Sequence, residues 1–154
     1  MTTHHGKLLV VDDNEMNRDM LSRRLSRLGH TVVTAEDGHQ ALDLIEQQEF
    51  DMILLDIMMP GLSGLEVLKI LRQTYSTAEL PVIMVTAKGE SEDVVSSLKL
   101  GANDYVIKPL DFPVVLARVQ IQLEACFQHR ELKNGLRSLK LRLLMILKRS
   151  TPSN

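Results

Sequence analysis

Tryptophan is absent from this 154-residue chain, aromatics make up 3% of it, and there is one cysteine. A core without large rings has to be packed from aliphatics, and hydrophobic residues reach 44%. The lone Cys126 excludes an intrachain disulfide and has no zinc-like neighbours, which fits a reducing compartment and a chemically inert helix position. No apolar run approaches the length of a membrane span, and "MTTHHGK" at the N-terminus lacks the apolar centre of a signal peptide. A cytoplasmic protein is expected. His4 and His5, adjacent at a chain end, are expected to be disordered rather than metal ligands.

What is present is one domain's worth of aliphatic core plus an added element. The net charge of −2 hides an asymmetry: residues 1–129 carry 11 Lys/Arg against 19 Asp/Glu, a balance of −8, and residues 130–154 carry 7 against 1, a balance of +6.

Apolar runs alternate with amphipathic patterns five times. "KLLVVDD" (Lys7 to Asp13) predicts a buried strand, and Met16, Met20, Leu21, Leu25 and Leu28 follow at helical spacing up to Gly29. "HTVVTA" precedes a helix lined by Ala41, Leu42, Leu44 and Ile45, and "DMILLD" one marked by Leu65, Val67, Leu68 and Leu71. "LPVIMVTA" precedes a helix for which Ser91 supplies the cap and Glu92 and Asp93 the first-turn acids. "DYVIKP" precedes a last helix capped by Asp111, with Pro113 in its first turn. Strands apolar throughout and alternating with helices predict a doubly wound α/β domain with a five-stranded parallel sheet. In such a sheet the functional crevice opens beyond the carboxyl ends of the strands.

Asp12 and Asp13 close the first strand, Asp56 the third, Thr86 the fourth and Lys108 the fifth. Their separations match whole strand–helix units, so all five side chains are expected on one edge. Three gathered carboxylates repel one another unless they take up protons or bind a cation. A hard divalent ion such as Mg²⁺, for which Mn²⁺ may substitute, suits an all-oxygen set. An Asp nucleophile, a neutralising Lys and a hydroxyl able to hold a phosphoryl oxygen together make a phosphoryl-transfer site. Taken singly each residue has a bland reading: Asp12 or Asp13 as a helix cap, Thr86 as a strand residue, Lys108 as a solvated charge, and Gly61 and Gly64 as turn residues after Pro60.

The stretches "LLVVDDN", "DMILLDIMMPGLSGLEVL", "PVIMVTA" and "GANDYVIKP", in that order, resemble the receiver domain of two-component response regulators over about residues 6–128. The resemblance implies a flavodoxin-like (βα)5 fold in which Asp56 is the phosphoacceptor. Asp12 and Asp13 help hold Mg²⁺, the Met58 backbone carbonyl joins them, Lys108 pairs with the phosphoryl group, and Thr86 and Tyr105 form a switch pair. It further implies a cis bond before Pro109 and, as partner, a sensor histidine kinase or a histidine phosphotransfer protein. Two rivals of the same fold class fit less well. A flavin-binding electron carrier needs a phosphate loop where the acidic "DDNEMNR" stands, and a haloacid dehalogenase-type phosphatase usually has a second Asp where Met58 is. A phosphoacceptor that assists its own labelling and decays slowly is expected, rather than an enzyme.

Residues 129–154 are expected to form a basic amphipathic helical extension or linker. Leu132, Leu136, Leu139, Leu143 and Ile146 step by four and three, a seam suited to a homodimer. Leu116, Val119, Leu123 and Phe127 upstream follow another phase, and Gly135 weakens the helix. Six cations from Lys133 to Arg149 are also compatible with a membrane surface or an acidic partner, though a solvated basic face around a dimer seam is favoured. Too few residues remain for a three-helix DNA reader and the tail has no aromatic for stacking, so direct DNA binding is not expected. The chain then acts by protein contact, or is the receiver portion of a longer regulator whose last helix leads to a cyclase or other output domain.

Overall fold

The computed structural model describes residues 4–150. Five strands, β1 (Lys7–Val11), β2 (Thr31–Ala35), β3 (Met52–Asp56), β4 (Val82–Ala87) and β5 (Asp104–Lys108), alternate with α1 (Glu15–Arg27), α2 (Gly38–Gln47), α3 (Gly64–Leu71), α4 (Ser91–Leu100) and α5 (Phe112–Ser150). All strand pairs are parallel, in the order β2-β1-β3-β4-β5. The order reverses between β1 and β3, which opens a crevice at their carboxyl ends.

Alternation along the strands divides the core. Leu9, Val11, Ile53, Leu55 and Met84 face α2, α3 and the end of α4, packing with Ala41, Ile45, Val67, Leu68 and Ala102. Leu8, Val10, Met52, Leu54, Ile83 and Val85 face the other way, onto Leu21 and Leu25 of α1 and Val115, Val119 and Leu123 of α5. Burial on both faces is why these strands read as unbroken apolar runs.

Local signals set the helix ends. The side chains of Asn14, Asp37 and Ser63 accept the backbone N–H groups of Asn17, Gln40 and Glu66, so the α1 cap is Asn14 rather than Asp12 or Asp13. Gly101, at φ 103°, closes α4 in a left-handed conformation. Three expectations are corrected. Ser91 lies inside α4, whose N-cap is Glu90 and has no side-chain cap bond. On α1 only Leu21 and Leu25 are buried, whereas Met16, Met20 and Leu28 are exposed, because the face meeting the sheet is narrower than the apolar spacing. The extended last helix is present as expected and runs unbroken through Gly135 for 39 residues. His4 is not loose: its ring stacks on Phe127 with centroids 4.8 Å apart, while His5 meets His30 edge-on at 6.0 Å.

Beyond the body, α5 stays anchored as far as Arg130, whose guanidinium bonds Asp51 Oδ1 at 2.7 Å. Asp51 Oδ2 meanwhile accepts the Lys7 backbone N–H at 2.7 Å. No helix among the described residues is long and apolar enough to cross a membrane.

Candidate functional site

The carboxyl ends of β1 and β3 place Asp12 and Asp56 side by side, 1% and 2% exposed, with the exposed Asp13 beside them. One oxygen from each of the three lies within 4.8 Å of the others. At the end of β5, Lys108 reaches across β4: its Nζ stands 2.9 Å from Asp56 Oδ2 and 3.5 Å from Asp12 Oδ2. The Lys108–Pro109 peptide bond is cis, as the resemblance implies.

The two buried carboxylates are held by their neighbours. Asp12 Oδ1 accepts the Asn14 N–H at 2.9 Å and Oδ2 accepts Asn17 Nδ2 at 3.3 Å. Asp56 Oδ1 accepts the Met58 N–H at 3.2 Å, which aims the second oxygen at Lys108. Burial pushes the Asp56 pKa up; the Lys108 hydrogen bond opposes it and the Asp12 charge adds to it, leaving it at about 6. For Lys108 burial works against the charge, but the bond and charge of Asp56, joined by Asp12, raise its pKa above the ordinary lysine value. The ammonium is therefore fixed as a cation facing two acids, one of which is reluctant to ionise.

Thr86 is buried in β4 one position beyond the residue paired with Asp56. Its Oγ1 has no hydrogen-bond partner, a rare condition for a buried hydroxyl and one that a ligand oxygen would relieve. Tyr105 is not among the carboxylates. It sits on the edge strand β5, opposite Met84, where Arg118 of α5 holds it: the guanidinium bonds its carbonyl, lies 5.5 Å from its ring centroid, and bonds Asp104 Oδ1 at 3.0 Å. The Asp104 carboxylate in turn accepts the Tyr105 N–H at 2.8 Å.

Sequence reasoning missed several supports of the site. A Cβ on Gly64 would lie 2.2 Å from the carbonyl oxygen of Asp56, so glycine is what lets α3 start directly behind Asp56. Arg18 Nη1 bonds the Asp12 carbonyl at 2.8 Å and Arg18 pairs with Glu36 at 3.6 Å. Arg72 ties the α3–β4 loop to the start of β5 by bonding Leu80 O and Gly101 O, both at 2.8 Å, and Asn103 Oδ1 at 3.0 Å. Only the glycine, placed eight residues after Asp56 in "DIMMPGLSG", left a trace that a pattern reader could have used. Cys126 is buried, with its thiol pKa pushed up by that burial, and is inert as expected.

Comparison with known proteins agrees with this geometry. The family model for the response regulator receiver domain matches residues 8–120. The structure of NtrX from Brucella abortus superposes with a TM-score of 0.79 at 32% identity, over 85% of this chain and 29% of that one. The receiver domain of Francisella response regulator 1452 gives 0.72 at 34% identity, over 78% of this chain and 98% of that one. A putative two-component system response regulator/GGDEF domain protein gives 0.75 at 30% identity, over 78% of this chain and 49% of that one. The chain thus spans less than a third of NtrX, nearly all of the isolated receiver and about half of the GGDEF protein. With its five-stranded parallel sheet, its acid cluster at the switch point and its lysine at the end of the fifth strand, the chain belongs to the response regulator receiver domain family of two-component signalling systems.

Proposed function

We propose that the protein is a cytoplasmic signalling receiver that takes a phosphoryl group onto Asp56 from the phosphohistidine of a sensor kinase or of a histidine phosphotransfer protein. The observation that carries this reading is the contact of Lys108 Nζ with both Asp56 and Asp12, inside a cluster of three carboxylates. A carboxylate oxygen of Asp56 attacks phosphorus as the P–N bond to imidazole breaks, and an acyl phosphate remains. Lys108 holds the charge on the transferred oxygens. Thr86 Oγ1 gains in the phosphorylated state the partner it lacks here.

The donor set also fits a divalent cation. Asp12, Asp13 and Asp56 offer only hard carboxylate oxygens, and Asp13 leaves one side open to water; they would hold Mg²⁺ or Mn²⁺ together with the Met58 carbonyl. When bound, the ion neutralises charge on the phosphoryl oxygens. Thr86 drawn inward and Tyr105 turning with it then alter the surface of α4, β5 and α5. The α5 extension beyond the body supplies a self-association element, which suits either a stand-alone regulator or, as a second reading favoured by the long exposed helix, the receiver part of a larger chain with a cyclase or other output.

Intact-protein mass spectrometry with acetyl phosphate tests the reading. One added phosphoryl group is expected, absent in Asp56→Asn and absent with chelator; equal labelling of Asp56→Asn would overturn the assignment.

A further inference from the structure

Ahead of β1, residues 4–6 run as a strap between the α1–β2 turn and α5. The seat leaves no spare room. A Cβ on Gly6 would lie 2.8 Å from Leu123 Cδ2, and one on Gly29 would lie 2.9 Å from the His5 ring. Gly6 O accepts the Thr31 N–H at 3.0 Å, and the His4 ring stacks on Phe127 at the root of the α5 extension. The remaining tie is chemically different. The Gly6 N–H donates to Nδ1 of His30, 3.1 Å away, and His30 is 6% exposed. An imidazole nitrogen that accepts carries no proton, so this bond holds His30 as the neutral tautomer protonated on Nε2.

We infer that His30 is an acid-sensitive clasp, whose protonation releases the strap and with it part of the body's grip on the root of the α5 extension. A proton on Nδ1 removes the acceptor and turns two donors on each other in a buried corner. Burial and the charge of His5 both hold the His30 pKa below the ordinary 6.5. The other charged groups of this corner are engaged elsewhere. Asp51 accepts both the Lys7 N–H and the Arg130 guanidinium, and Lys7 Nζ lies over the Phe50 ring. In the last turn of α1, Arg24 lies over the Phe112 ring and Arg27 is exposed. A folded pKa below the free value means that the seated strap prefers the neutral ring. The seat is therefore intact above pH 6.5 and weakens as pH falls below it. Release reaches α5 by packing. Gly6 and His4 cover Leu123 and Phe127, and the buried Cys126 lies between those two, its thiol under the charges of Arg130 and Asp51. Once the strap leaves, the helix root keeps the Arg130–Asp51 bond but loses apolar cover on that side. The extension is thus tied less firmly to the body in acid than at neutral pH, whatever the state of Asp56.

The test uses the full-length chain and needs no phosphoryl donor. In an NMR titration of the wild type, the His30 ring should titrate below 6.5 and the Gly6 amide should shift with the same midpoint. The native Cys126 reports on the α5 root. His30→Asn is the comparison, because its Oδ1 stands near the place of Nδ1 and accepts at every pH. At about pH 5.5, wild-type Cys126 should react with a dithiodipyridine reagent up to about tenfold faster than Cys126 of His30→Asn, the ceiling that linkage sets one pH unit below the free histidine value. At about pH 7.5 the two should react alike, and comparison at equal pH cancels the ionisation of the thiol itself. His4→Ala, which cuts the strap from α5 but leaves the clasp, should react faster than the wild type at both pH values. The inference is overturned by a His30 ring that titrates while the Gly6 amide stands still. Cys126 rates in acid that match between wild type and His30→Asn overturn it too, as does a His4→Ala chain no more reactive than the wild type. The NMR titration is read on the wild type alone and decides the matter even where a variant does not fold.

Discussion

Asp56 has two demands placed on it, to be buried and, in the role proposed above, to be a nucleophile, and burial pushes its pKa up to about 6. A folded-state pKa raised above 3.8 means that the native protein binds the extra proton more tightly than the unfolded chain does. The resulting stabilisation is fully present below about pH 3.8 and is lost as pH rises through about 6. At pH 7–8 the ionised carboxylate therefore opposes folding, and Asp56→Asn should raise the unfolding free energy by about 1–3 kcal/mol, with the gap closing in acid. Urea denaturation of both proteins across pH 4–8 measures it; a variant equally less stable at every pH would mean that the Lys108 bond outweighs burial. Thr86 makes the complementary case. Its buried hydroxyl has no partner, so Thr86→Val should change stability by less than about 1 kcal/mol, because the isostere removes an unsatisfied group rather than a bond. The same variant should still take up phosphoryl while losing the NMR shift changes at Tyr105 and along β5 that follow labelling of the wild type.

At the scale of elements, the site is as sound as the junction between β3 and α3. Only hydrogen stands on Gly64 against the Asp56 carbonyl, and the Gly64 N–H bonds Ile57 O at 3.0 Å. In Gly64→Ala the methyl has backbone, not a flexible side chain, to push against. We expect a loss of roughly 1–3 kcal/mol together with slower labelling, since the moved group is the peptide of Asp56, the proposed nucleophile. Loss of stability with labelling unchanged would separate the helix start from the chemistry. The strand-to-helix alternation was legible because the three central strands are buried on both faces and each helix on one. The cap of α4 and the inner face of α1 were not, because Ser91, Met16 and Met20 differ in the structure only by where the neighbouring element comes to rest.

For the whole molecule, an acidic body and a basic rod of opposite sign are joined by one helix. Two copies joined side by side through their last helices, as proposed, bring like next to like: −8 beside −8 and +6 beside +6. Salt screens both repulsions without weakening the aliphatic seam, since the Debye length falls from about 10 Å at 0.1 M to about 3 Å at 1 M. Dimerisation measured by sedimentation should therefore tighten as salt is raised. The opposite trend, association that weakens with salt, would mean that basic rod meets acidic body instead.

The sequence alone settled which residues gather at the carboxyl edge of the sheet. Asp12, Asp56, Thr86 and Lys108 each end a short apolar run, and parallel strands of equal sense carry every such end to one side of the sheet. What surrounds those residues was decided only by tertiary structure. Arg118 finds Tyr105 across 13 residues, Arg72 finds Asn103 across 31, and Arg130 finds Asp51 across 79. Long flexible cations give no periodic signal, and their partners exist only once the sheet and helices have packed. The outward turn of the α5 stripe has the same origin: the spacing of its leucines marks a seam, but only the placement of Val115, Val119 and Leu123 against the sheet determines which way that seam faces.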